Sequence, residues 1–100
     1  MNIAYSTSFD VAHFQEQGQQ IIVVFVASSF GHKSNADQNE TCSALQACAR
    51  AAGLAGTVVP VWDTGGGRMG FLAPTPWHGF FRGMDLGTLA RNVNRKLTCG

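Results

Sequence analysis

One uninterrupted apolar run constrains the fold more than any other feature of this sequence. It extends from Ile21 to Ala27 and consists mainly of β-branched residues. A strand with one face in water alternates apolar and polar side chains, whereas this run has no polar position, so both of its faces must be covered. At seven residues it is far shorter than the roughly 20 that cross a bilayer. We therefore expect a central strand at 21–27 and no membrane-spanning segment.

The longest predicted helix follows this strand, from about Asn35 to Ala52, and ends at Gly53. Ser34 and Asp37 form a variant of the capping box at its start. Its apolar positions share one arc of a helical wheel, as on a helix that packs against a sheet. They are Cys42, Leu45, Cys48, Ala49 and Ala52.

The remaining segments complete an α+β domain. The predicted elements are a strand at 2–6, a helix at 9–17, strands at 57–62, 68–73 and 77–82, and a last helix from Asp85 to about Leu97. Pro60 cannot donate to a ladder, so its strand is expected at an edge or with a bulge. The fold class is α+β with α/β character: a mixed four- to five-stranded sheet with about three helices on its faces, in one domain over residues 1–100.

The charge balance gives no reason to expect a nucleic acid or a membrane as partner. The net charge is +1, and charged residues make up 13% of the chain, about half the usual share. A surface with so few charges tolerates the approach of a second copy, which favours a homodimer.

The three cysteines are an odd number and do not indicate a disulfide framework. Cys42 and Cys48 are expected as small buried side chains, and Cys99 as an exposed thiol. Met1 to Phe14 lacks the basic cluster and apolar run of a signal peptide. These observations favour a cytoplasmic protein.

The chain resembles a thioredoxin-like fold without the redox cysteines. The resemblance rests on Phe9-Asp10-Val11 leading into a helix, on the strand at 22–28, on Gly31-His32-Lys33 before the long helix, and on Phe80-Phe81-Arg82-Gly83 before the last one. Redox-active members carry two cysteines after the central strand, where this chain has Ser28-Ser29-Phe30-Gly31-His32. The resemblance therefore implies a fold and not a redox activity.

A ligand site is expected just beyond the central strand, where open α/β sheets place their crevices. The N-terminal amides of the following helix would favour an anion there. The candidate ligand-binding residues are Ser28, Ser29, His32 and Lys33. No cofactor is indicated, and His13, His32 and His78 have no partner at metal-ligand spacing.

The segment 77–82 places aromatic residues on both faces of a predicted hairpin strand, so one face would be exposed in a monomer. Exposed aromatic and arginine side chains are typical interface anchors. The candidate interface residues are Trp77, His78, Phe80, Phe81 and Arg82.

Together these features predict a small non-catalytic binding or interaction protein that self-associates through the aromatic hairpin and takes a small ligand or a protein partner. Two enzyme alternatives stay open. One is a thioredoxin-like or thiol protein that uses His32 or Cys42. The other is a dimeric aspartic protease, because Asp63-Thr64-Gly65 matches the catalytic triplet of that class and a second copy would supply the second carboxylate.

Overall fold

A mixed five-stranded sheet forms the centre of the molecule. The computed structural model describes residues 7–99. In chain order, the elements are β1 (Thr7–Glu16), β2 (Gln19–Phe25), a 3-10 turn (Ser28–His32), α1 (Asn35–Ala51), β3 (Thr57–Gly65), β4 (Arg68–Phe71), a second 3-10 turn (Thr75–Trp77), α2 (His78–Arg82), α3 (Leu86–Ala90) and β5 (Arg95–Cys99). The α+β class with a mixed sheet and three helices is confirmed. The strand predicted at 2–6 lies outside the described residues.

The apolar run occupies the middle of this sheet. The strand order is β4-β3-β2-β1-β5, and β2 pairs in parallel with β3 and antiparallel with β1. Ile21 to Val24 are 0% exposed, because alternate side chains enter cores on opposite faces of the sheet. The prediction of a central strand covered on both sides is confirmed.

The prediction of a helix at 9–17 is wrong, because this segment forms most of β1. It pairs with β2 from Val11 opposite Val24 to Glu16 opposite Gln19. Gln17 and Gly18 have φ values of 52° and 76°, the two positive angles of a tight type I′ hairpin turn. A glycine with positive φ occurs both at the C-terminal end of helices and in hairpin turns. Here the segment forms a hairpin because it pairs with the apolar strand β2.

Helices cover both faces of the sheet. On one face α1 contributes Leu45 and Ala49. The sheet residues beneath it are Val11, Ile22, Val24, Val58 and Leu97. On the opposite face Trp77, Phe81 and Leu89 from the α2–α3 region pack on a second set. That set comprises Ala12, Ile21, Val23, Val59 and Val61.

The α1 prediction is confirmed, including its cap, since the Ser34 hydroxyl accepts a hydrogen bond from the Asp37 backbone N–H at 3.1 Å. Of the two alternatives predicted for the Pro60 strand, the edge position is wrong, because β3 lies between β2 and β4. The strand does carry a bulge-type register shift, between Asp63 and Gly65. The Pro60 carbonyl accepts from the Leu72 N–H, and in a strand N–H and C=O project to the same side. An N–H at Pro60 would therefore point toward the β4 side, beyond the last residue pair of that ladder. Its absence removes no hydrogen bond to β2.

The last third of the chain differs most from the prediction. The strand expected at 77–82 is the helix α2, and the helix expected to reach Leu97 ends at Ala90. Asp85 caps α3 as expected, its carboxylate accepting from the Thr88 N–H. Asn94 then exchanges two hydrogen bonds with the His13 backbone, which directs residues 95–99 into the sheet as β5.

Candidate functional site

The strand-end cleft lies where the parallel strands β2 and β3 end side by side. The 3-10 turn after β2 forms one wall, and the last residues of β3 form the other. The volume between them is about 340 Å³. Its lining residues are Ser28, Gly31, His32, Trp62, Asp63, Thr64 and Gly65.

Trp62 is the apolar wall of this cleft. Its side chain is 9% exposed, and its ring lies 4.9 Å from the Phe30 ring, centroid to centroid. A Cβ atom on Gly31 or on Gly70 would lie 2.5 Å from Trp62 Nε1. The indole therefore fits between Gly31 and Gly70 only because neither residue has a side chain.

Hydrogen bonds hold the 3-10 wall against the rest of the fold. The Gln38 side-chain amide of α1 donates to the Phe30 carbonyl at 3.0 Å, and the Lys33 N–H donates to the same oxygen at 3.2 Å. The Val26 N–H donates to the Val61 carbonyl at 2.9 Å, which prolongs the β2–β3 pairing up to the cleft. This wall is therefore tied to α1 and to β3.

The second wall is a polar turn. Asp63 Oδ1 accepts from the Gly65 N–H at 2.8 Å, and the Thr64 hydroxyl donates to the Arg68 carbonyl at 3.2 Å. These bonds turn the chain from β3 into β4 and present a carboxylate and a hydroxyl beside His32. The side chains that line the cleft include one acid and no lysine or arginine, and no residue of α1 lines it. Neither a cationic side chain nor the N-terminal amides of α1 therefore support the expected preference for an anion.

The predicted ligand-binding residues divide into two pairs. Ser28 and His32 line the strand-end cleft. Ser29 and Lys33 are exposed beside it and do not line it. Trp62 and Thr64 are absent from the predicted ligand-binding residues, because the sequence places them at the end of a strand and in the following turn without indicating their neighbours. Only the pairing of β3 alongside β2 brings them to the same place.

The aromatic hairpin predicted as an interface is wrong in its geometry. Trp77 and Phe81 are 7% and 1% exposed and belong to the core, because residues four apart on a helix share one face. Phe80 and His78 are half-buried, and Arg82 is exposed. The His78 ring also lies 2.9 Å from the Ala73 carbonyl through Nε2.

The cysteines behave differently from the prediction. Cys48 and Cys99 form a disulfide between α1 and β5, so Cys99 is not an exposed free thiol. Cys42 is the free cysteine of the described chain, and burial raises the pKa of its thiol. A raised pKa leaves less of the nucleophilic thiolate at neutral pH, which argues against the thiol-enzyme alternative.

Comparisons with protein-family models, with curated proteins and with solved structures find no match to this chain. The resemblance to a thioredoxin-like fold therefore stays a prediction. Of the helices on which it rested, the one at 9–17 is the strand β1, and the last one is shortened to α3, with β5 following it. Within residues 7–99 no helix is long and apolar enough to cross a membrane. Over the same residues, no group of three or more His, Cys, Asp or Glu side chains is placed to hold a metal ion.

Proposed function

We propose that this protein is a non-catalytic binding domain and that the strand-end cleft binds a small polar ligand. One observation carries the proposal: two segments that are far apart in the sequence, 28–32 and 62–65, converge on one cavity. The cavity lies outside the carboxyl ends of a parallel strand pair, where α/β sheets bind their ligands.

The chemistry of the lining supports a compact ligand with several hydrogen-bonding groups. His32, Asp63, Ser28 and Thr64 provide an imidazole, a carboxylate and two hydroxyls beside the Trp62 ring. A few convergent polar groups against an apolar wall are typical of small-molecule sites. A volume of about 340 Å³ is at the lower end of the roughly 300–1,000 Å³ found for such sites.

Amide chemical shifts in ¹⁵N-labelled protein test this proposal, with amino acids, monosaccharides and nucleosides added at millimolar concentration. We expect at least one of these classes to shift resonances of residues 28–32 and 62–65 together. Ser28→Ala should weaken binding by roughly two- to ten-fold, the range for one lost hydrogen bond.

Ser29→Ala is the matched control, because its side chain is exposed one residue away and does not line the cleft. It should leave the affinity unchanged. Two outcomes contradict the proposal: no compound shifts the two segments together, or the two serine variants weaken binding equally.

Self-association remains the second candidate, on a smaller surface than the sequence indicated. Phe80 is half-buried on α2 and borders a groove whose lining is apolar at Phe14 and Met84 and polar at Gln15, Glu16, Asn92 and Asn94. Arg82 is exposed on the same helix. These are residues of the types found in interface cores and rims, and we propose that a homodimer contact uses them. The aspartic protease alternative also needs a second copy and rests on Asp63 alone.

A cytoplasmic location has lost its cysteine argument, since two of the three thiols are paired. Disulfides persist in oxidising compartments, and those of mesophile cytosol are mostly transient, catalytic or redox-sensing. A cytoplasmic location is therefore proposed only together with a disulfide that is reduced and re-formed.

A further inference from the structure

We propose that the Cys48–Cys99 disulfide is a reversible latch on β5, opened by thiol–disulfide exchange with a dithiol reductant. The bond joins α1 to the edge strand of the described sheet across 51 residues of sequence. This proposal is independent of ligand binding in the strand-end cleft, because β5 lies at the opposite edge of the sheet from β4.

Besides the disulfide, β5 is held mainly by its ladder with β1 and by the two Asn94–His13 hydrogen bonds that precede it. It pairs with β1 over Thr7–Val11, and Leu97 is its one residue with a buried side chain, at 1% exposed. The Lys96–Asp10 ion pair at 2.8 Å is exposed, and such pairs contribute little to stability. The covalent link to α1 therefore reinforces a ladder that has little buried side-chain packing of its own.

The disulfide is accessible to a reductant. Both cysteines are half-buried, and an open surface depression of about 570 Å³ runs beside them. Small side chains border it, which leaves room for an approaching thiolate. They are Ala44, Ala47, Ala51, Ala52 and Thr98.

The position of Cys48 predicts which sulfur is attacked. Cys48 lies in the last turn of α1, where the negative end of the helix dipole disfavours a thiolate. Cys99 is therefore the better leaving group, since the sulfur that better carries negative charge departs faster. The reductant's thiolate attacks Cys48 Sγ, the Cys48–Cys99 bond breaks, and its electron pair leaves on Cys99, which takes up a proton.

The reductant's second thiolate then attacks the reductant sulfur that is bonded to Cys48. This closes the disulfide of the reductant and releases Cys48, which takes up the second proton. The dithiol is oxidised to its disulfide, and the protein gains two electrons and two protons. Cys42 does not take part, because its Sγ lies 3.9 Å from the Val58 carbonyl of β3. In the order β3-β2-β1-β5, three strand spacings of about 4.8 Å separate β3 from β5.

Dithiothreitol redox buffers test the latch on the full chain without denaturant, with alkylation and mass spectrometry to count thiols. We expect two thiols to become alkylated as the buffer becomes reducing, with Cys48 carrying the trapped mixed disulfide. Hydrogen exchange at 95–99 and 7–11 should then accelerate by roughly a hundred-fold or more. Amides of β2 at 21–24 should keep their protection.

Cys42→Ser is the matched control and should respond as the wild type does. The double variant Cys48→Ser/Cys99→Ser should show fast exchange at 95–99 in both buffers. If that variant does not fold, exchange in the reduced wild type still decides. The proposal is overturned if the thiols appear only in denaturant, if β2 loses its protection together with β5, or if exchange at 95–99 is unchanged by reduction.

Discussion

At Gly31 the backbone passes so close to the Trp62 ring that a side chain does not fit. A Cβ there would lie 2.5 Å from Nε1 and 3.2 Å from Cδ1, so the indole or the 3-10 turn must move. We expect Gly31→Ala to lower the free energy of unfolding by about 1–3 kcal/mol, the range for overpacking. It should also change the Trp62 fluorescence. Urea titration measures the first effect.

Gly79→Ala is the matched control, because a Cβ at that position meets nothing within 4 Å. It lies within α2, so alanine should leave the stability unchanged or raise it by up to about 1 kcal/mol through helix propensity. Equal losses in the two variants would show that Trp62 is not tightly packed against Gly31.

Single residues of the cleft were only partly predictable. Ser28 and His32 follow the central strand directly, so their place at its carboxyl end could be inferred from the sequence. Ser29 and Lys33 follow it equally closely, and only the 3-10 geometry turns them away from the cleft. Asp63 drew attention as a catalytic triplet, whereas its place in the cleft depends on pairing between β2 and β3.

At the scale of elements, α3 depends on a charged cap. The pKa of Asp85 is lowered mainly by the hydrogen bond from the Thr88 backbone N–H to its carboxylate, and next by the Thr88 side chain. The positive charge of Arg91 makes a smaller contribution. A group whose pKa is lower in the folded state stabilises that state above its unfolded pKa, and the effect is lost as the pH falls through its folded pKa. We therefore expect α3 to loosen in acid, measured as faster hydrogen exchange at Thr88.

Asp85→Asn separates charge from capping, since asparagine also caps helices well but does not titrate. The variant should keep α3 at neutral pH and lose the acid-dependent change that arises at this residue. A variant with the same pH profile as the wild type would assign that profile to another carboxylate.

Elements with local signals were predicted correctly, and those defined by distant partners were not. The run at 21–27 and the helix capped by Ser34 carry their own signals in periodicity and capping. The segment 9–17 also carries helix signals: Thr7 and Asp10 form a variant of the capping box, Val11 and Phe14 are three residues apart, and Gly18 follows. It becomes a strand because it pairs with β2 on one side and β5 on the other. Residues 95–99 likewise extend because β1 offers a free edge.

For the whole molecule, the decisive contacts join the two ends of the described chain. Thr7 pairs with Cys99 and Val11 with Arg95, and the disulfide fixes the same strand to α1. Neither contact leaves a pattern in cysteine spacing or hydrophobic periodicity. The mixed sheet with helices on its faces could therefore be predicted as a class, but its strand order could not.

Substitutions of the neighbouring residues Phe80 and Phe81 distinguish an effect on self-association from an effect on folding. Phe81 is 1% exposed in the core, whereas Phe80 is half-buried at the surface of α2. Phe81→Ser should lower the free energy of unfolding by about 3–5 kcal/mol, as for other large core truncations. Phe80→Ser should retain most of the stability, because its ring is not enclosed.

Sedimentation velocity at micromolar concentration then tests the homodimer. We expect the wild type to sediment as a dimer and Phe80→Ser as a folded monomer, because the substitution removes one of the two half-buried phenyl rings, Phe14 and Phe80, of the proposed contact. A monomeric wild type, or a Phe80→Ser variant that stays dimeric, would contradict an interface at α2. Since Phe80 does not line the strand-end cleft, neither result would alter the prediction for ligand binding.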